Sequence, residues 1–385
     1  MNLRRRFLFK LGFEKKEVVG LDIGSSQVRL IQLRKDNGGY AVTAAGVTEI
    51  AASGGANNRR KINTISAIRQ CVELSGIKTE LAVCGVNGPE VAVRHFEFPP
   101  LPAEEIEAAI SLEASQVCPF NAGDSAIDYQ LTSDGGGKTT GVLVAATNAL
   151  IRSKIHLAKA AHLKCVLMDV DGLALLNCFN ELCSESEKPQ THPVRGTPPS
   201  GSPGKAIEPS DTPKAVISNG THGMTAILNV GGSCTTLAIA GNNGRPFIRD
   251  LAHAGDDIVK QLATENDMSI EAVRKMLSGG SPTEQIEHYD SLKHACQKLI
   301  VDVAETLRYY VAQEKSTLVD KIFVCGGFAP ARGFVELLSS QLAVEAILWN
   351  PFDKTRCDVG QRYKDIFAKK GHAMAVAAGL AMRSI

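Results

Sequence analysis

The 385-residue sequence lacks two features that would each define a class of protein. It has no excess of charge, since 42 Lys and Arg residues face 41 Asp and Glu residues and leave a formal net charge of +1. A general nucleic-acid binder needs a basic surface that attracts phosphate, so nucleic acid is not an expected partner. No apolar run reaches the roughly 20 residues that a membrane-spanning helix requires. Membrane contact is therefore expected only through a partner or a surface.

The ten cysteines also lack a metal-binding or redox spacing. No two of them form a CxxC pair, and Cys84, Cys165 and Cys325 lie within apolar runs, where a free thiol acts as a small hydrophobic side chain. The pattern predicts that the protein lies in a reducing cytoplasm and has no structural zinc site. The nine histidines show no HExxH spacing, and His253 and His372 are interpreted as surface or capping residues.

The length predicts two lobes, because a single hydrophobic core stops growing at roughly 250 to 300 residues. With 44% hydrophobic and 22% charged residues, the composition is ordinary for a globular protein. One segment differs: residues 184–222 hold seven of the 16 prolines and no Leu, Phe, Tyr, Trp, Met or Cys. Such a segment cannot supply a packed core, so we predict a disordered insert between the lobes.

Alternating strand and helix patterns predict an α/β fold and set the domain boundaries. Residues 1–17 are interpreted as a basic tail and not a signal peptide, because their apolar stretch is broken at Lys10 and lacks a cleavage site. The first lobe is assigned 18–183, with a core at 18–90 and 147–183 and an inserted small subdomain at 91–146. The second lobe is assigned 223–385, with a core at 223–254 and 318–385 and a helical subdomain at 255–317.

The first lobe opens with a glycine turn between two apolar strands, Asp22-Ile23-Gly24-Ser25-Ser26. Backbone N–H groups of such a turn can point at phosphate oxygens, and serine hydroxyls add donors. Asp22, at the strand end, is placed to hold Mg²⁺ through water, since this hard cation prefers oxygen ligands. Taken alone, the motif also fits an ordinary hairpin turn.

Two further glycine turns follow in the second half of the chain. Residues 229–236, NVGGSCTT, repeat the hairpin, so that two phosphate-binding turns, one per lobe, would face each other. The third turn, Gly326-Gly327-Phe328, ends a strand ahead of a helix, where glycine lets a purine ring lie against the backbone. The three turns in this order favour nucleotide binding.

This ordered set resembles the actin, Hsp70 and sugar-kinase superfamily. Within it, the stretches GLDIGSSQVRLIQL, FPPLPAEEIEAAISLEASQVCPF and RPFIRDLAHAGDDIVKQL, and the end from WNPF to GLAMRSI, are similar to the PilM family of type IV pilus assembly. The resemblance covers most of residues 18–385 apart from the Pro-rich insert. It implies a two-lobed, ribonuclease H-like fold in which the strand-helix-strand-strand subdomain of the cell-division protein FtsA replaces the usual small subdomain of actin.

By this resemblance, the chain binds ATP with Mg²⁺ between its lobes and lies in the cytoplasm, peripheral to the inner membrane through a partner. The implied partner is a PilN-like inner-membrane protein, whose N-terminal peptide would bind between the first lobe's core and residues 91–146 in a nucleotide-dependent way. Other pilus assembly components are further implied partners, and self-association is left open. The implied contacts are Gly24, Ser25 and Ser26 for the first phosphate turn, Gly231, Gly232, Ser233 and Thr235 for the second, and Gly326, Gly327 and Phe328 for adenosine.

Four residues bear on catalysis. Asp169 or Asp171 falls where the superfamily orients metal-bound water, and the sequence leaves open which one faces the site. Asn229 stands where the second phosphate motif usually has Asp, which predicts at most a slow ATPase. Arg29 replaces the Lys common after the first turn, and either a phosphate contact or a pairing with a surface carboxylate fits it.

Two other functions remain open at this point. One is an FtsA-like filament protein of cell division, although the chain as given ends directly after its closing helix, where that family continues into an amphipathic membrane helix. The other is a small-molecule kinase of the same superfamily, which would place a catalytic aspartate beside a sugar or acid pocket.

Overall fold

The computed structural model describes residues 17–37, 39–54, 57–132, 137–183, 224–241, 245–279, 289–314, 318–353, 355–357 and 361–383. Residues 1–16 of the basic tail and the Pro-rich insert at 184–222 lie outside the described residues, so both remain predictions. Within the described residues, every helix is too short or too polar to cross a membrane.

The first lobe begins with strands and closes with helices. Its strands are β1 (Val19–Ile23), β2 (Gln27–Asp36), β3 (Gly39–Glu49), β4 (Leu81–Val86), β5 (Val91–Phe98), β6 (Ser125–Thr132), β7 (Thr139–Thr147) and β8 (Lys164–Val170). Its helices are α1 (Asn57–Ser75), α2 (Ala103–Val117), α3 (Asn148–Ala160) and α4 (Asp171–Leu182), with a 3-10 turn at Ala122–Asp124.

The second half of the chain repeats the opening hairpin and then adds helices. Its strands are β9 (Met224–Val230), β10 (Thr235–Ile239), β11 (Phe247–Leu251), β12 (Val319–Cys325), β13 (Glu345–Leu348) and β14 (Arg356–Cys357). Its helices are α5 (Gly255–Glu265), α6 (Ile270–Ser278), α7 (Tyr289–Glu314), α8 (Phe334–Leu342), α9 (Gln361–Lys370) and α10 (Ala375–Ala381), the last preceded by a 3-10 turn at Gly371–Met374.

The two large sheets share one local arrangement. The first has the order β14-β3-β2-β1-β4-β8, and the second has the order β11-β10-β9-β12-β13. In each, the first strand of the repeated hairpin, β1 or β9, pairs antiparallel with its successor and parallel with a strand from later in the chain, β4 or β12. A parallel neighbour requires a crossover, which α1 supplies in the first lobe.

The small subdomain is a three-stranded sheet of order β5-β7-β6 with α2 against it. Helix α2 buries Ile106, Ile110 and Ala114, a stripe at spacings of four residues, onto Phe96 and Leu143 of the sheet. The order strand, helix, strand, strand is thus confirmed, as is the two-lobed α/β class.

Helix α4 packs against α10 and also against β10 and β11 of the second sheet, and the contacts with the second sheet join the lobes. Strand β1 and α10 approach closely at Gly20, where a Cβ would overlap the backbone of Ala377, and α10 meets α4 at Gly379 in the same way. The Phe179 ring of α4 lies 5.0 Å from that of Phe323 and 5.3 Å from that of Trp349, both in the second half of the chain. Aromatic contacts therefore join the lobes beneath the cleft.

One domain boundary is corrected by the structure. We assigned residues 318–385 to the second lobe, but β14 pairs with β3 in the first sheet, and α10 packs on β1 and α4. The segment from Arg356 to Ala381 therefore belongs with the first lobe. Hydrophobic periodicity predicts the helix but carries no information about which of two apolar sheets it covers.

Candidate functional site

Three neighbouring parallel strands of the first lobe, β1, β4 and β8, end at the same edge of the sheet. A polar side chain lies at each end: Asp22 in β1, Asn87 directly after β4 and Asp171 directly after β8. Ligands bind in the crevice outside such strand ends. Asn87 Nδ2 donates a hydrogen bond of 2.7 Å to Asp171 Oδ2, and all three residues line a cavity of about 210 Å³.

The two repeated glycine turns meet at this cavity. Each hairpin is closed by the same hydrogen bond, from Gly24 N to the Gln27 carbonyl and from Gly231 N to the Cys234 carbonyl, both 3.0 Å. A Cβ added to Gly232 would overlap the hydroxyl oxygen of Ser25, so the turns touch across the interlobe cleft. That buried Ser25 hydroxyl has no hydrogen-bond partner among the described residues.

Arg29 lies inside the cleft and pairs with Asp22. The guanidinium donates a 2.8 Å hydrogen bond from Nη1 to Asp22 Oδ2 and one of 3.2 Å from Nη2 to Gln27 Oε1, while Nε has no partner among the described residues. Only 8% of Arg29 is exposed, so its carboxylate partner is a buried one and not the surface carboxylate we considered. Removing either partner of a buried pair leaves an uncompensated charge, at a cost of about 3 to 5 kcal/mol.

The structure separates the two candidate carboxylates at the end of β8. Asp171 lines the cleft, and its Oδ1 has no hydrogen-bond partner among the described residues. Burial, reinforced by the neighbouring Asp22, raises the pKa of Asp171 well above its usual value. Asp169 instead accepts hydrogen bonds of 2.6 and 2.9 Å from Arg383, away from the residues that line the cavity.

In the second lobe, the predicted phosphate residues divide into two groups. Gly231, Gly232 and Ser233 line the cavity together with Asn229. Thr235 does not, because its hydroxyl is buried and donates a 2.9 Å hydrogen bond to the His253 carbonyl.

In the third glycine turn, Gly327 lines the cleft, whereas Gly326 packs behind it against the backbone of the second lobe. Gly326 has a φ of 100°, and a Cβ there would strike the Val230 carbonyl, so only glycine fits this close approach. Its N–H donates a 2.8 Å hydrogen bond to the carbonyl of His372.

A second cavity, of about 580 Å³, continues the cleft outward. The two cavities share Ser26, Arg29, Gly231, Gly232 and Gly327 in their walls. The outer cavity adds Phe328, the N-terminal turn of α5, and the C-terminal half of α6. The Phe328 ring packs 5.0 Å from that of Phe334, which fixes this wall by core contacts.

One histidine interpretation is corrected here. Of the two roles predicted for His372, surface or capping, the surface role is wrong, because only 9% of the residue is exposed. Burial, with Arg29 nearby, lowers the pKa of His372 to about 4, so the imidazole is neutral at pH 7.

Sequence reasoning missed three polar residues that line the inner cavity: Arg60, Asn87 and Lys154. Lys154 Nζ donates a 2.9 Å hydrogen bond to the Ile23 carbonyl, which brings α3 to the first glycine turn. Asn87 could have been found, because it directly follows β4, the strand parallel to the one that contains Asp22. Arg60 and Lys154 belong to helices whose local pattern gives no such signal.

Two lobes that each present a glycine hairpin to one polar cleft define an actin-like fold. The family model described as type IV pilus assembly protein PilM matches residues 20–190 and 210–385, and the chain belongs to this family. Membership favours pilus assembly over the FtsA-like and small-molecule kinase alternatives.

The solved structures that resemble this chain are distant from it in sequence. A structure titled PilM-PilN type IV pilus biogenesis complex has a TM-score of 0.72 at 20% identity, covering 96% of this chain and 99% of that chain. A diol dehydratase-reactivating factor in nucleotide-free form has a TM-score of 0.51 at 10% identity, covering 95% and 99%. An archaeal actin homolog has a TM-score of 0.42 at 12% identity, covering 95% and 98%.

Proposed function

We propose that this chain binds ATP with Mg²⁺ between its lobes and thereby acts as a nucleotide-dependent scaffold at the inner membrane. Its partner is the cytoplasmic N-terminal segment of a PilN-like membrane protein. The contact between Ser25 and Gly232, which joins two phosphate-type turns across one polar cavity, is the observation that carries the proposal.

The residues of the cleft fit a polyphosphate. Three cationic side chains, Arg29, Arg60 and Lys154, line the inner cavity beside two carboxylates. Buried polar atoms without partners among the described residues, Ser25 Oγ and Arg29 Nε, are donors that a phosphate oxygen would satisfy. In the outer cavity, Gly327 and Phe328 would lie against the adenosine.

The carboxylates fit a magnesium ion held largely through water and phosphate. Asp22 and Asp171 would hold it, since Mg²⁺ is usually bound through one or two carboxylates plus substrate phosphates. The ion would neutralise phosphate charge, and it would favour the charged form of Asp171, whose pKa burial now raises. We assign the orientation of an attacking water to Asp171 and not to Asp169, because only Asp171 lines the cavity.

Hydrolysis is expected to be slow at best. Asn229 lines the cavity where the resemblance implies an aspartate, and an amide cannot take a proton from water or bind a metal as strongly as a carboxylate. Binding is preserved because the turn amides and the three cations do not depend on that residue.

The partner is supported by the fold shared with the solved PilM-PilN complex. We place the peptide between the first lobe's core and the small subdomain. At that junction Val93 and Val142 of the small sheet belong to the same hydrophobic cluster as Val170 and Leu175 of the core. A bound segment would therefore contact both the first lobe's core and the small subdomain. The distance between these two surfaces would change if the small subdomain rotated relative to the core.

The proposed nucleotide dependence is supported by contacts of the loop between β4 and β5. Asn87 in this loop is bonded to Asp171 in the cleft, and the next residue, Gly88, donates a 2.7 Å hydrogen bond from its N–H to Asp250 Oδ2 in the second lobe. The loop leads into β5 of the small subdomain. A shift of Asp171 on ligand binding would thus move the small subdomain relative to the second lobe.

Calorimetric titration with Mg²⁺-ATP tests the nucleotide site. The parent should bind, and the Gly24→Asp/Gly232→Asp variant should not, because the added carboxylates fill and repel both phosphate positions. Ser115→Asp, which adds one carboxylate at an exposed position of α2, should bind as the parent does. Absence of binding by a folded parent, or equal binding by the double variant, would contradict the proposal.

A further inference from the structure

Helices α1 and α3 lie side by side on one side of the first sheet. Arg69 of α1 donates hydrogen bonds of 2.6 and 3.1 Å to the carbonyl of Ala160, the last residue of α3. Nearer the beginnings of the helices, Arg60 of α1 and Lys154 of α3 line the same cavity of the cleft. The two helices therefore run in the same direction, and their outer sides form one face.

The inner sides of both helices belong to a single hydrophobic cluster with β1, β2 and β4. To this cluster α1 contributes Ile68 and Cys71, and α3 contributes Leu157 and Ala158. The cluster at the junction of the first lobe's core and the small subdomain is a different one, and it contains no residue from the outer side of either helix. The outer face is thus separate from the place where we put the partner peptide.

The same four-residue pattern, Arg-x-Lys-Ile, occurs near the start of each helix. It is RRKI at 59–62 in α1 and RSKI at 152–155 in α3. The first and fourth positions of such a pattern are neighbours on a helix surface. Ile62 is 66% exposed and Ile155 is 41% exposed, and the arginine three positions before each is exposed as well. Each helix therefore presents an apolar side chain beside a cation, which is typical of a contact with a membrane interface.

The face carries a strong excess of positive charge. Together α1 and α3 contain seven Lys and Arg residues and one carboxylate, although the whole chain has a net charge of only +1. Arg59, Arg152 and Lys159 are exposed and form no ion pair with a carboxylate of the described residues. By contrast, α2 of the small subdomain has four glutamates and no Lys or Arg. This segregation of charge favours one orientation of the protein on a negative surface.

From these features we infer that the face formed by α1 and α3 binds the surface of an anionic lipid bilayer. Its cations would lie against lipid phosphates, and Ile62 and Ile155 would enter the boundary between headgroups and acyl chains. Both isoleucines project from the outer sides of the helices and line neither cavity of the cleft. They suit insertion into a deformable surface more than recognition of one peptide.

This contact goes beyond the proposed function, in which the membrane is reached only through the PilN-like partner. Every described helix is too short or too polar to cross a membrane, so the contact is interfacial. A few cations and two apolar side chains give weak, reversible binding, which strengthens when a second link holds the protein at the membrane. The lipid-binding face would therefore orient a scaffold that its partner already holds there.

Co-sedimentation of the full chain with vesicles tests the inference. The parent should bind vesicles of phosphatidylglycerol mixed with phosphatidylcholine and should prefer them to vesicles of phosphatidylcholine alone. Arg59→Glu/Arg152→Glu should bind the anionic vesicles at least about tenfold more weakly, because two attractive charges become repulsive. The same variant should bind vesicles of a cationic lipid more tightly than the parent does, which shows that it is folded. Binding of the parent to anionic vesicles should weaken as NaCl rises.

Two further variants separate charge from insertion. Lys260→Glu/Lys293→Glu is the matched control, since both lysines are exposed in the second lobe and the change in net charge is the same. This control should bind anionic vesicles as the parent does. Ile62→Ser/Ile155→Ser keeps every charge and should bind at least about threefold more weakly, because the apolar area available for insertion is smaller.

The inference would be overturned if the parent showed no preference for anionic vesicles, or if the arginine variant and its lysine control lost equally. Unchanged binding by the isoleucine variant would also overturn it. Unchanged binding by the arginine variant would assign lipid binding to the basic tail at 1–16, which all the variants retain. A peptide of alternating Glu and Val that binds the parent when anionic vesicles do not would assign the face to an acidic protein segment. Because the assay contains neither nucleotide nor PilN-type peptide, such a failure leaves the proposed function unaffected.

Discussion

Ser25 of the first lobe and Gly232 of the second are in contact across the cleft, and a Cβ added to Gly232 would lie 2.4 Å from the Ser25 hydroxyl oxygen. A side chain at residue 232 would therefore displace the Ser25 hydroxyl or hold the two turns apart. The same two turns supply the amides that we assign to phosphate, so closure and binding depend on one contact.

Gly232→Ala should weaken Mg²⁺-ATP binding by about tenfold or more, since the new Cβ would hold the turns apart and also approach Asp256. Combining it with Ser25→Ala removes the overlapping oxygen, so the double variant should lose less than the sum of the single losses in free energy. Calorimetry measures all four proteins. Additive losses would show that the contact does not limit closure.

Asp171→Asn and Asp169→Asn should have opposite effects. Because burial raises the pKa of Asp171, its charge costs stability at neutral pH, and the asparagine variant should melt at the same or a higher temperature while losing Mg²⁺-dependent binding. Asp169→Asn weakens the pair with Arg383, so it should lose about 1 to 2 kcal/mol of stability and keep Mg²⁺-ATP binding. Thermal melts and calorimetry together distinguish the two; loss of nucleotide binding in Asp169→Asn alone would reverse our assignment.

Thr236→Val should weaken the link between cleft and small subdomain. The hydroxyl of Thr236 holds Asp250 Oδ1 at 2.6 Å, and Asp250 holds the Gly88 N–H. We expect the ratio of PilN-type peptide affinities with and without Mg²⁺-ATP to move towards one. Thr264→Val is the isosteric control, because its hydroxyl bonds only within α5 and the ratio should stay at the parent value. An unchanged ratio in Thr236→Val would exclude this route.

His372 should make stability depend on pH in one window. Its folded pKa of about 4 lies below the unfolded value of 6.5, so the unfolded chain binds the proton more readily between these values. The contribution of His372 to the free energy of unfolding is therefore fully present above pH 6.5. It is lost as the pH falls towards 4, by up to about 1.4 kcal/mol per pH unit. Denaturant unfolding of the parent against His372→Gln isolates the effect, and parallel curves through this window would argue against it.

Local patterns predicted much of the fold. The hairpins around Gly24 and Gly231 and the buried stripe of α2 follow from apolar periodicity with glycine breaks, which are set by nearby residues. Strand β11 is short and contains the charged residues Arg249 and Asp250, so its sequence does not show the apolar alternation that predicts a strand.

The parts of the site formed by local motifs could be predicted from the sequence. The parts formed where distant segments of the chain meet could not. Asp169 and Asp171 are two residues apart and would share a face of a continuing strand, but α4 begins at Asp171, so the two side chains diverge. Lys154 reaches the cleft from α3 and bonds to Ile23, a residue 131 positions earlier in the chain. Hydrophobic periodicity is a local pattern and does not predict such a contact. The return of α10 to the first lobe is missed for the same reason.

The most direct test of the central claim is the affinity of the parent chain for a PilN-type N-terminal peptide, measured with and without saturating Mg²⁺-ATP. We predict a change of at least about fivefold in the parent, and no change in Gly24→Asp/Gly232→Asp, in which the cleft cannot close on nucleotide. Equal affinities in the parent with and without Mg²⁺-ATP, in a protein that binds both ligands, would contradict a nucleotide-dependent scaffold.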